Sequence, residues 1–125
     1  MNFTTLKHRF DNHYLLKLLR SKHGPLFISF IILEFKTNHI VSIEFNTLII
    51  KLCNHLEECS WEIPENQEIE EYSRKLIENW CNDDYRLLRR FYSKNAEMFI
   101  ELTVDSERSI KWMEELNPKE YIGSD

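Results

Sequence analysis

Only two glycines and three prolines occur in 125 residues. So little turn-forming material argues against a loop-rich or all-β fold and against a glycine-lined phosphate cradle. Cysteine is scarce too. Cys53, Cys59 and Cys81 are an odd number with no C-x-x-C spacing. Reduced thiols in a cytoplasm are the simplest reading of that pattern. Long apolar runs are missing: the most apolar stretch, residues 26–35, is about half of the ~20 residues a bilayer helix needs. Residues 1–20 are charged and amphipathic throughout, unlike a cleavable signal peptide. An excess of positive charge is also missing, since the net charge is −5.

The charge is unevenly placed. Residues 1–60 hold seven Lys/Arg, five acids and all five histidines, while residues 61–125 hold nine Lys/Arg and sixteen acids. An acidic C-terminal half is a poor match for nucleic acid. A hydrophobic share of 42% with 13% aromatics is enough to build one globular core in a chain of this size.

Periodicity then places the elements. Tyr14, Leu15, Leu18 and Leu19 form one stripe of a short helix over residues 11–21, with Asp11 as its N-cap. Gly24 and Pro25 break it, and Pro25 suits the first turn of a second helix reaching about Lys36. That helix is apolar almost all round, interrupted only by Ser29 and Glu34. A helix apolar on every face is buried on every face. A small domain rarely covers a whole helix, so a subunit interface is expected to take the second face. The competing reading is a central core helix. Residues 40–43 read as a short first strand. Phe45, Leu48, Ile49, Leu52, Cys53 and Leu56 mark a third helical stripe, and residues 59–67 a polar loop. Ile69, Tyr72, Leu76, Ile77 and Trp80 mark a further helix. Residues 87–92 and 97–103 alternate as two strands around a turn at 93–96. Thr103 can cap a last helix with Ile110, Met113 and Leu116 on one face and Trp112 beside them.

The predicted fold is mainly α with a small β-hairpin. It is a winged helix-turn-helix domain with an extra N-terminal helix and a C-terminal helix. One domain spans 1–125: an N-terminal arm over about 1–22, a winged-helix core over 25–103 and a C-terminal helix over 104–117. In DNA-reading members the recognition helix enters the major groove against phosphate. Here residues 68–84 carry Glu68, Glu70, Glu71, Glu78, Asp83 and Asp84 against Arg74 and Lys75. A phosphate-facing surface needs the opposite sign. A winged helix used for protein–protein assembly fits both facts.

The residues suggest little chemistry. Cys53, His55, Cys59 and His39 match no usual zinc spacing, and Cys53 sits on an apolar stripe, so no metal is expected. Neither G-x-S-x-G nor H-E-x-x-H occurs. No catalytic or cofactor-binding residue is assigned, and the acids of 68–84 read as a solvated or partner-facing surface. The one basic cluster is Arg86, Arg89, Arg90 and Lys94, on the first hairpin strand and its turn. Two readings compete for it. A basic wing can touch DNA phosphates, or these cations pair across the hairpin with Glu97 and Glu101. Tyr85, Phe91 and Tyr92, interleaved there, read as packing rather than base stacking.

Several segments carry a resemblance: LLRSKHGPLFISF at 18–30, LRRFY at 88–92, FIELT at 99–103, WMEEL at 112–116 and YIGSD at 121–125. Together they resemble, in order, the N-terminal region of the kleisin subunit (JetA) of Wadjet, a bacterial anti-plasmid complex of the SMC class. That subunit is similar to the MukF-type kleisins of bacterial condensins. The resemblance implies a non-enzymatic, nucleoid-associated architectural subunit whose winged helix homodimerises and joins two SMC motor units. It further implies that the chain is an N-terminal piece of a longer protein. The missing part would meet the SMC ATPase and a small MukE-like accessory subunit, with DNA in the assembled complex and no membrane. Leu26, Phe27, Phe30, Ile31 and Leu33 are the candidates for the dimer interface. The alternative is a winged-helix transcriptional regulator using the basic wing.

Overall fold

The computed structural model describes residues 1–12, 16, 20–82 and 86–116. Its described residues are mainly helical, with one small antiparallel sheet. Two amphipathic helices, α3 (Phe45–Glu58) and α4 (Ile69–Cys81), supply much of the core. Their apolar residues recur at the helical period, so each closes one face: Leu48, Ile49, Leu52 and Leu56 from α3, and Leu76, Ile77 and Trp80 from α4. Against both packs α2 (Gly24–Ile31), continued by a π-helical turn over Ile32–Thr37. Pro25 stands in its first turn as the sequence leads one to expect. Phe27 meets Trp80 edge-on, with centroids 4.9 Å apart, and Phe30 lies 5.4 Å from the His55 ring.

Scarce glycine leaves its mark at the helix ends. Ser60 and His39 take left-handed φ of 53° and 54°, where glycine is the usual choice. Each closes a Schellman motif. Trp61 N–H donates to Leu56 O and Ser60 N–H to Glu57 O; Ile40 N–H donates to Phe35 O and His39 N–H to Lys36 O. An apolar residue follows each left-handed position, which is the usual company of this motif.

The sheet has the order β1-β3-β2, formed by β1 (Ser42–Glu44), β2 (Leu88–Tyr92) and β3 (Met98–Leu102). The expected hairpin is present, and β1 makes it three-stranded. The strand expected at 40–43 begins two residues later, because Ile40 belongs to the helix closure just described and Val41 is exposed. β1 ends at Glu44, whose carboxylate accepts from Asn46 N–H at 2.9 Å and Thr47 N–H at 3.2 Å, starting α3. Ile43 and Ile100 pair in register on the core side.

The last helix, α5 (Val104–Glu115), is capped by Thr103 as expected, whose Oγ1 accepts from Ser106 N–H at 3.2 Å. It docks through Ile110 and two serines. Ser106 Oγ donates to Leu87 O at 2.6 Å, and Ser109 is buried. Of the stripe expected there, Ile110 is core, Met113 is half-buried, and Leu116 and Trp112 are exposed.

At the N-terminus the structure corrects the sequence reading. The helix α1 spans Phe3–Asn12, so Asp11 lies in its last turn and accepts from Lys7 at 3.1 Å instead of capping a helix start. The start is marked by Asn2, whose Oδ1 accepts from Thr5 N–H at 2.9 Å. Tyr14, Leu15, Leu18 and Leu19, expected on a helical stripe, lie outside the described residues.

Candidate interaction surface

Most of the residues expected at a dimer interface are in the core of the single chain. Leu26 is 3% exposed, Phe27 1%, and Phe30 and Ile31 0%. A side chain with no accessible area in one chain has none to bury against a second. The apolar helix is covered because α3 and α4 close around it, and Phe30 and Phe27 fill the space between. Leu33 alone of the five keeps surface, at 40% exposure.

On their α3 side, α2 and the π-helical turn that continues it carry two polar contacts. Lys51 Nζ lies 3.3 Å from the buried Glu34 carboxylate, and Ser29 Oγ lies 2.9 Å from His55 Nε2. Both partners rise in number on α2 as they fall on α3, so the two helices run antiparallel here. Leu33 and the exposed Ile50 are the sequence neighbours of that ion pair, one on each helix. Ile50 carried no sequence signal of its own, since it sits just outside the apolar stripe.

The four sites singled out for metal do not converge. His55 Nε2 lies 3.7 Å from Cys59 Sγ, but Cys53 Sγ contacts Ser73 Oγ at 3.3 Å. No group of three or more His, Cys, Asp or Glu able to hold a metal occurs among the described residues. Cys59 is exposed, and burial pushes the Cys81 thiol up to about 11. His23 lies 3.5 Å from the Tyr72 hydroxyl, which accepts from Trp61 Nε1 at 2.9 Å. Burial and then Lys22 hold His23 below its ordinary value.

The basic cluster is split by the sheet. Arg89 faces Glu101 in register and Arg90 faces Ile100, so neighbouring arginines point to opposite faces. Arg89 pairs with Glu101, one of the pairings expected. Arg90 and Lys94 are exposed. Arg86 is held in a left-handed turn (φ 49°) whose carbonyl accepts from Thr103 Oγ1 at 2.8 Å. Tyr85 lies outside the described residues. On the Arg89 face, Phe91 and Phe99 stack at 5.7 Å, half-buried and outside the main core; Tyr92, on the Arg90 face, is 65% exposed.

Helix α4 presents Glu70, Glu71 and Glu78 beside its capping residue Glu68. Its two cations are drawn to one of these acids: Arg74 lies 3.9 Å and Lys75 3.8 Å from Glu71. Asp83 and Asp84 lie outside the described residues.

The sequence matches the family described as "Protein of unknown function (DUF3375)" over residues 8–125. The chain belongs to the DUF3375 family. No curated protein and no solved structure matches it. The DUF3375 match takes in α2 through α5 and the whole sheet, and it begins inside α1. No described helix of this DUF3375 chain is long and apolar enough to cross a membrane.

Proposed function

We propose that this DUF3375 chain is a non-enzymatic architectural module: the N-terminal winged-helix dimerisation domain of a bacterial SMC-complex kleisin. The order α2-β1-α3-α4-β2-β3, with β1 beside β3, supports a winged-helix reading. In that frame α4 occupies the place of the recognition helix. The observation that carries the proposal is the charge of α4: a surface of Glu70, Glu71 and Glu78, its cations leaning on Glu71, repels phosphate. A winged helix that cannot bring its recognition helix to DNA is suited to protein contacts.

Two such domains joined by a two-fold axis would link two SMC ATPase units in a DNA loop-extruding, anti-plasmid system of the Wadjet kind. The SMC subunit and the MukE-like partner would engage other regions of the full-length kleisin, in the cytoplasm at the nucleoid. The test is the solution mass of the chain on dilution, read beside duplex DNA binding. A persistent dimer with weak, salt-sensitive DNA binding supports the assembly role. The second reading, a winged-helix DNA-binding regulator, draws on the exposed Arg90 and Lys94. A monomer that binds duplex tightly, and loses that binding on Arg90→Glu and Lys94→Glu substitution, would establish it instead.

A further inference from the structure

Two apolar surfaces keep solvent exposure among the described residues, and they suit each other. The first is α1. All residues from Phe3 to Arg9 are exposed, with Phe3 at 78% and Leu6 at 43%. Phe3 and Leu6 stand three residues apart and share a face. A ten-residue helix is marginal in water unless an apolar face is packed, since isolated helices need roughly 12–15 residues to persist. The second is the face of the sheet turned away from the core. Phe91 and Phe99 stack there with Arg89, Glu101, Ser42 and Glu44 in the same cross-strand rows.

We propose that α1 is an exchange arm whose Phe3–Leu6 face docks over Phe91 and Phe99 on the sheet of a second copy of the chain. This rests on the dimerisation reading above and gives it a contact surface. Charge supports the pairing. The arm carries Lys7 and Arg9 against Asp11, and the sheet face carries Glu44 and Glu101 against Arg89, with Glu97 in the adjoining turn. Symmetry supports a second copy over another partner. Each chain owns one arm and one sheet face, so a two-fold exchange covers both kinds of surface at once.

The test uses the full chain. Phe3→Asp with Leu6→Asp should raise the dimer dissociation constant by about tenfold or more. The core should keep its near-ultraviolet circular dichroism, because neither side chain belongs to it. A photoreactive benzoylphenylalanine at position 6, in mixtures of isotopically light and heavy chains, should crosslink between copies to the peptide holding Phe91 or Phe99. Crosslinks confined to one chain, or reaching another surface, overturn the exchange arm. A doubly substituted chain that stays dimeric overturns it too, while leaving dimerisation itself standing. A wild-type chain that is monomeric at every concentration overturns both.

Discussion

Arg89 stands directly across the hairpin from Glu101, and its Nε donates to Glu101 Oε1 at 2.6 Å while Nη2 meets the same oxygen. The arginine best placed to reach a phosphate from this face of the wing is thus engaged within the sheet. Its side chain is 66% exposed, so solvent screens the pair and its worth is about 0.2–1 kcal/mol. Arg89→Gln should lower stability by no more than that in urea unfolding and leave duplex DNA affinity within about twofold of wild type. A loss of tenfold or more in DNA affinity would mean that the ion pair opens onto phosphate.

Phe30 and Leu33 separate the two roles that the apolar α2 sequence combines. Phe30 is fully buried, and Phe30→Ala should cost about 3–5 kcal/mol in chemical denaturation. Leu33 is 40% exposed, and Leu33→Ser should stay within about 1 kcal/mol, since surface substitutions rarely do more. Equal costs at both positions would contradict the assignment of Phe30 to the core.

Acid should weaken the fold in two stages. His23 titrates below its ordinary 6.5 because it is partly buried and lies near Lys22. The unfolded chain therefore takes up that proton first. The stability from neutral His23 is complete above 6.5 and declines as pH falls below it. Glu44 titrates below its ordinary 4.5 because Asn46 N–H, then the Thr47 hydroxyl and N–H, donate to its carboxylate. That contribution is complete above 4.5 and is lost as pH falls further. Urea midpoints measured between pH 7 and 3 should show both declines. His23→Gln should remove the first and Glu44→Gln the second.

Much of the fold is legible where one physical signal dominates. The stripes of α3 and α4 are strict enough that residues such as Leu48, Leu52 and Ile77 announce their burial. The hairpin is legible because Met98, Ile100 and Leu102 alternate with Phe99, Glu101 and Thr103 beyond a polar turn. The apolar helix is less so, because composition shows that α2 is covered on all sides but not whether its own chain supplies the cover. For that reason Phe27 and Phe30 read as interface residues in the sequence and are core in the structure. The sequence starts β1 too early because Ile40, apolar and next to Val41, looks like strand while serving as the closing residue of a helix end. The helix α1 is not read from the sequence at all, because its start rests on Asn2, a capping residue close to the terminus, and its few apolar residues make no long stripe. The half-buried Phe91–Phe99 pair is hidden in an alternation that reads equally well as packing.

The central claim is that this domain assembles with itself, and its solution mass tests that most directly. Multi-angle light scattering of the 15.2 kDa chain on serial dilution into the sub-micromolar range should give a mass near twice that of one chain throughout. A mass of one chain at every concentration would contradict the account and leave the wing as the surface to pursue.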